Sequence, residues 1–222
     1  MHSIPGVKYP RHTPAMWFDG LDDYVVADAP IELFGDCALT LSAWIYLEQL
    51  SSLYGVYFVN RASLPGETAG IMVDASRIYA QYRGAFYAYA LQALDRQTWY
   101  HVAISKPSGV CALTQFFLNG AEIPLFDASF TIPSLNNSTP PEIGQYLGGY
   151  RFPGIIRACL AYNRVLSAVE IQQIAADRGA YPRSGLIDAR PGNGIASENW
   201  GGATIYGNPE RCRVHRRGTV IL

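Results

Sequence analysis

Lysine is nearly missing from this 222-residue chain: Lys8 and Lys106 alone carry it, and arginine supplies the rest of the 17 basic residues. Against 18 acidic residues the formal net charge is −1, so no global field draws the chain to nucleic acid or to an anionic membrane. Charged residues make up only 16% and apolar residues 49%, a globular rather than a disordered composition. No run approaches the roughly 18 apolar residues of a membrane-spanning helix. The opening MHSIPGVKYPRHTP contains no apolar stretch of the secretory kind. The expectation is therefore a product made and kept in soluble form. Cysteine is sparse too. Cys37, Cys111, Cys159 and Cys212 are scattered, with no CxxC pair, which argues against zinc at its usual spacing. Each lies in or beside an apolar run and is expected to be a buried thiol. GxSxG, HExxH, a P-loop and GxGxxG are all missing, so the common signatures of nucleophilic, metallopeptidase and nucleotide chemistry are not here.

What the chain has in quantity is aromatic residues, with 15 Tyr, 9 Phe and 4 Trp, set in short alternating runs. In ALTLSAWIYLE (38–48), Leu39, Leu41, Ala43, Ile45 and Leu47 fall on one face, and Thr40, Ser42, Trp44, Tyr46 and Glu48 on the other. Both faces are partly apolar, as in a strand within a two-sheet sandwich. Further strand signals lie at 54–59, 70–74, 77–82, 85–91, 98–105, 113–118 and 155–162, separated by turn sequences. Asn119-Gly120 between FFL and AEI predicts a type I′ hairpin, since both central positions of that turn need positive φ. A single helix is expected at about 167–178. Ser167 serves as N-cap, Glu170 completes a capping box, Leu166 and Ile171 form a hydrophobic staple, and Gly179 ends it. Residues 1–15 read as an irregular arm, 16–180 as the domain, and 181–222 as an extension adding one or two strands.

The order of these pieces resembles the LamG-like (concanavalin A-like) jelly-roll family. The matching motifs are FDGLDDYV (18–25), LTLSAW (39–44), WYHVA (99–103), FFLNG (116–120) and IGQYLGGYRFPGIIRACLAYNRVLSAVEI (143–171). They run in order from about Trp17 to Arg178. The resemblance implies an all-β, two-sheet antiparallel jelly roll with one short surface helix. Two departures stand out. Where the family's closing strand commonly carries acidic residues, this chain has Ile156-Arg157-Ala158. The segment 185–207, similar to a leader that often precedes such domains, here follows it.

Several groups of residues are candidates for function. Asp19, Asp22 and Asp23 in WFDGLDDYV are natural turn residues; carboxylates at this spacing could also supply some of the oxygens of a structural calcium, which related sandwiches hold at a rim. Tyr79, Tyr82, Arg83 and Tyr87, with Phe86 and Tyr89 in the same run, could offer rings to a sugar or a protein partner. They could equally divide between the core and a neighbouring subunit. Tyr150 and Arg151 sit in a second aromatic loop, GGYRFPG. Arg211, Arg213, Arg216 and Arg217 in ERCRVHRR read as a solvated edge or as a dock for an acidic partner. His101 reads as a strand histidine, with no orienting partner in sight. The laminarinase-type hydrolases of this fold carry E-x-D-x-x-E on one strand; no such string occurs, and Glu122, Glu142 and Asp127 each stand alone.

The expectation that follows is a non-catalytic binding or assembly module. The proline-rich arm, basic tail and tyrosine content suit a virus or phage structural protein made in a host cytoplasm: a capsid decoration, spike or tail-fibre subunit. Its partners would be other copies or other virion proteins, and cell-surface glycans. The alternatives are an extracellular carbohydrate-binding or adhesion lectin, and a polysaccharide-degrading enzyme of the same fold.

Overall fold

The computed structural model describes residues 15–27, 34–35, 38–61, 68–82, 87–107, 111–128, 135–136, 139–176, 182, 184–190, 203–206, 215–216 and 219–220. In chain order the strands begin with β1 (Met16–Asp19), β2 (Tyr24–Ala27), β3 (Phe34–Gly35), β4 (Leu39–Leu47), β5 (Tyr54–Arg61) and β6 (Thr68–Val73). They continue with β7 (Arg77–Tyr82), β8 (Tyr87–Leu91), β9 (Trp99–Lys106), β10 (Gln115–Leu118), β11 (Ala121–Ile123), β12 (Asp127–Ala128) and β13 (Leu135–Asn136). Next come β14 (Glu142–Ile143), β15 (Pro153–Tyr162), the helix α1 (Ala168–Ala175), β16 (Leu186–Arg190), β17 (Ala203–Tyr206), β18 (His215–Arg216) and β19 (Thr219–Val220).

Two antiparallel sheets face each other. One runs β1-β15-β4-β9-β10-β11, with β16 also paired to β15; the other runs β12-β8-β7-β6-β5-β14-β2-β17. This is the jelly-roll sandwich that the strand pattern predicts. The long strand β15 has β4 along one side and, along the other, β1 beside its first half and β16 beside its second. Residues 186–190 and 203–206 thus each add an edge strand, one to each sheet.

The core lies between the sheets. Leu41, Ala43 and Ile45 from β4 meet Val56, Ile71, Val73, Ile78 and Ala80 from the opposite sheet, all with no exposed surface. Fully burying one Leu, Ile or Val contributes about 1.5–3 kcal/mol. A second apolar cluster lies outside the first sheet, where Leu166, Ile171 and Ile174 pack on Ala103, Phe117, Leu160 and Tyr162. The capping box of Ser167 and Glu170 forms as the sequence predicts. Arg164 adds a bidentate bond to Glu170, at 2.6 and 3.0 Å, and holds its carboxyl down to about 2. The helix stops at Ala175, with Ala176 as C-cap; Gly179, expected to end it, lies outside the described residues. Asn119 (φ 52) and Gly120 (φ 84) form the predicted turn between β10 and β11.

A bulge in β15 lets one strand serve two clusters. The β4 register shifts between Arg157 and Leu160, and Ala158 takes φ 48. Strict alternation would turn Cys159 outward; the extra residue returns it to the core while Arg157 and Leu160 both face out. Cys159 is a buried thiol, as expected; the side chains of Cys37, Cys111 and Cys212 lie outside the described residues.

His101 is completely buried, edge-on to Trp44 at 5.5 Å, and neither ring nitrogen has a hydrogen-bond partner. Burial, helped by the nearby Arg157 charge, pushes its pKa down to about 3. Between that value and the ordinary 6.5 the unfolded chain binds a proton that the folded one refuses, so stability falls as pH drops through this window. The slope is about 1.4 kcal/mol per pH unit. Chemical denaturation of His101→Phe from pH 7 to pH 4 is expected to show a much shallower loss of stability than the parent; parallel curves would remove His101 as the cause.

Candidate functional site

The acidic turn joins β1 to β2. Asp19 Oδ1 accepts the backbone N–H groups of Leu21 (2.8 Å) and Asp22 (3.3 Å), and the fully buried Asp23 accepts that of Asp19 at 3.0 Å. Gly20 takes φ 78, and a Cβ there would stand 2.8 Å from the Pro153 side chain. These bonds are what a tight turn requires. One carboxylate oxygen from each of Asp19, Asp22 and Asp23 lies within 4.8 Å of the others, so the residues expected to share a cation are brought together. Calcium takes six to eight oxygens, and the carboxylates supply only part of that set. The turn's own hydrogen bonds already account for Asp19 and Asp23. Asp23→Ala in chelator is expected to cost about 1–3 kcal/mol, because it orphans a backbone N–H. Exposed Asp22→Ala should stay within about 0.5 kcal/mol. A large loss for Asp22→Ala that calcium reverses in the parent would assign the turn to an ion instead.

The aromatic run behaves differently on its two faces. In β7 the alternation is strict: Ile78, Ala80 and Tyr82 face the core, while Arg77 and Tyr79 face out. Tyr82, taken above as a ligand-binding ring, is therefore corrected: it has no exposed surface, and its hydroxyl pairs with Thr114 Oγ1 at 3.0 Å. Arg83 and Phe86 lie outside the described residues. In β8, Ala88 and Ala90 point inward and Tyr87 and Tyr89 outward.

On this outer face the rings touch. Tyr79 lies 6.4 Å from Tyr87 and 5.5 Å from Tyr89, Tyr87 lies 5.9 Å from Tyr89, and Tyr89 lies 5.5 Å from Phe126, which is 61% exposed. Arg77 extends over the Tyr89 ring at 5.2 Å and donates to the Tyr79 hydroxyl at 2.8 Å; that hydroxyl donates to Asp74 at 3.1 Å. Burial, more than any other influence, raises the Tyr79 phenol, so it keeps its proton at neutral pH. Asp127, in register with Tyr89, adds a second carboxylate beside the rings.

The loop 144–151 folds over the same sheet face. Tyr146 stacks on Phe58 at 4.7 Å and 13°, and Tyr150 follows at 5.9 Å. Room for this comes from glycine: a Cβ on Gly70 would enter the Phe58 ring, and one on Gly55 would meet the Gln145 backbone. Beneath the loop Gln145 donates to the buried Glu142 at 3.1 Å. Arg151 lies 4.5 Å over Tyr24 and reaches the Asp22 carbonyl at 3.4 Å, linking this loop to the acidic turn. Tyr150 and Arg151 thus stand at one end of the tyrosine face, Tyr79 and Tyr87 nearer the other. Arg77, Phe126 and Tyr146 were not singled out from sequence, although Arg77-x-Tyr79 alternation was a usable signal for the first.

A further cluster missed from sequence covers the outer face of the other sheet. Trp17, Ile155, Tyr46 and Trp99 fall in one row across four strands, and Arg157, Trp44 and His101 in the next. Tyr46 and Trp99 lie 5.5 Å apart. The Arg157 guanidinium sits between Trp44 (5.2 Å) and Trp99 (5.4 Å), and Trp17 donates to Glu48 at 3.2 Å.

Asp127 and Glu142 do not converge. Glu122 lies in β11 of one sheet and Glu142 in β14 of the other; Asp127, in β12, is five strand steps from Glu142, on the order of 24 Å. Paired acids in retaining glycosidases stand about 5 Å apart. Arg211, Arg213 and Arg217 lie outside the described residues, and Arg216 is placed only as a backbone position in β18, opposite Thr219. No described helix is long and apolar enough to cross a membrane.

Two opposed antiparallel sheets define a jelly-roll sandwich. A laminin G-type family model, described as the concanavalin A-like lectin/glucanases superfamily, matches residues 19–172, and the chain belongs to that superfamily. Among solved structures it is similar to a candidate carbohydrate-binding protein from Bacteroides ovatus, at 14% identity and TM-score 0.66 over 95% of this chain; the chain spans 61% of that protein. It also resembles a heptameric SAP-like pentraxin from Limulus polyphemus, at 13% identity, TM-score 0.61, and coverage of 87% and 94%. A third likeness is to domain 4 of an extracellular arabinanase from Geobacillus stearothermophilus, in complex with arabinotriose, at 16% identity, TM-score 0.56, and coverage of 72% and 76%. No curated protein sequence matches the chain.

Proposed function

We propose that the chain is a non-catalytic module that binds glycans on the outer face of its tyrosine-bearing sheet. The observation that carries this is the mutual contact of Tyr79, Tyr87, Tyr89 and Phe126 on a face that points away from the core. Sugar rings present apolar C–H faces and hydroxyl edges. Aromatic faces suit the former, and Asp74, Asp127 and Arg77 supply acceptors and donors for the latter. The superfamily, and the arabinotriose held by a domain of similar fold, support this assignment. The test is affinity electrophoresis through gels containing neutral polysaccharides. Tyr89→Ala and the exposed Phe126→Ala are expected to weaken retardation about tenfold or more, with Phe126→Ala keeping its melting temperature. A parent protein that no neutral polysaccharide retards would end the proposal.

A second function has its own support on the opposite sheet. Trp17, Trp44, Tyr46 and Trp99 share one outer face over the buried Arg157, and Trp and Tyr are among the residue types that dominate protein–protein hot spots. On this reading the chain is an assembly subunit contacting its own copies or other proteins. The proline-rich arm and arginine-bearing tail would then suit a virion component made in a host cytoplasm, with an extracellular lectin as the alternative setting. Light scattering during gel filtration is expected to show an oligomer that Trp17→Ala with Tyr46→Ala dissociates. A parent that stays monomeric at every concentration removes self-assembly.

A further inference from the structure

On the tryptophan face, Trp17, Ile155, Tyr46 and Trp99 stand side by side on β1, β15, β4 and β9, and each keeps part of its surface exposed. The row crosses three strand steps, about 14 Å. Along one side it is backed by the next row, where Arg157 and His101 are buried. At its β1 end the exposed Glu48 accepts the Trp17 indole N–H at 3.2 Å. Trp17 and Tyr46 are two strand steps apart, about 10 Å. A polyproline II segment turns the same side to a surface every three residues, about 9 Å along its axis. Such a segment laid across the strands meets one ring with each turn, as aromatic-lined grooves take proline-rich chains.

We propose that this row holds residues 1–14 of a second copy of the chain. The proposal rests on the assembly reading above and deepens it by naming the segment that docks. Residues 1–14 lie outside the described residues; their sequence, MHSIPGVKYPRHTP, carries Pro5, Pro10 and Pro14, with Tyr9 beside Pro10. Proline fixes φ near the polyproline II value, so less conformational freedom is lost on docking. The segment has Lys8 and Arg11 and no acidic residue, which suits the exposed Glu48 carboxylate. Its point of attachment favours a neighbour over its own copy. Met16 pairs with Ile156, but from Cys159 onward that edge of β15 belongs to β16, so the chain before β1 cannot lengthen the ladder. Pro14 disfavours the helical conformation at Thr13 that would help fold the arm back. An extended arm leaves along the strand axis, whereas the row runs across the strands. At about 3.1 Å per residue it reaches roughly 43 Å, far enough to meet another molecule.

The experiment follows self-association of the full chain by light scattering. Pro5→Ala, Tyr9→Ala and Pro10→Ala together are expected to weaken it at least about tenfold and to leave the melting temperature unchanged. Mixing this arm variant with a folded Trp17→Ala, Tyr46→Ala variant is expected to restore association between the two, since one supplies an intact row and the other an intact arm. A synthetic peptide of residues 1–14 in excess is expected to dissociate the parent oligomer. An arm variant that assembles as the parent does, while the Trp17→Ala, Tyr46→Ala variant does not, overturns arm docking and leaves assembly through the tryptophan face standing. A mixture of folded variants that stays monomeric overturns exchange between copies and assigns the arm to its own molecule. A peptide that leaves the oligomer intact also counts against the arm. A parent that is monomeric at every concentration sinks both.

Discussion

The antiparallel pairing of β4 with β15 is the constraint on which the remaining architecture depends. Each of these strands must bury one face against the opposite sheet and also supply a covered outer face. Leu39, Leu41 and Ala43 make the inner face apolar, and Thr40, Ser42 and Trp44 alternate with them on an outer face that is mixed. At one end Thr40 accepts the Leu166 N–H and donates to the Arg164 carbonyl, fixing the segment that leads into α1. At the other, Trp44 and Trp99 enclose Arg157. The β15 bulge reconciles these demands: without the extra residue at Ala158, either Cys159 would leave the core or Leu160 would leave the helix contact. A left-handed alanine is the local cost of that arrangement.

Most of the fold was legible in the sequence because its signals are local. The alternation in 38–48, the Asn119-Gly120 turn and the Ser167–Glu170 box each describe a few neighbouring residues, and each forms as written. The site was legible only in part. Asp19, Asp22 and Asp23 are neighbours in sequence and are neighbours in space. Tyr82 was misplaced by weighing ring content above alternation; R-I-Y-A-Q-Y already sets Tyr82 on the side of Ile78 and Ala80. Phe126 and Tyr146 join the tyrosine face through strand order and loop return, contacts between residues tens of positions apart that no local pattern encodes.

The two outer faces show how one sandwich can hold two surfaces of different chemistry. Part of the tyrosine face is built over small inward residues: Ala80, Ala88 and Ala90 lie beneath it, beside the larger inward Ile78 and Tyr82. The tryptophan face sits beside α1, and its cation is enclosed between rings rather than exposed to solvent. Among the described residues the inter-sheet core cluster contains no tryptophan. Tyrosine and phenylalanine thus serve both the interior, as Tyr57, Tyr82 and Phe152 do, and the outer faces.

The loop over the tyrosine face has a root and a tip governed by opposite rules. At the root, Gly55 and Gly70 leave no space for even a methyl group, since Gln145 and Phe58 already occupy it. At the tip, a side chain on Gly149 would meet nothing within 4 Å. Sequence drift is thereby channelled: relatives can exchange residues at the crest without unseating the sheet, whereas the foundation is frozen by sterics. Such a partition lets a lineage change what it grips while keeping how it folds.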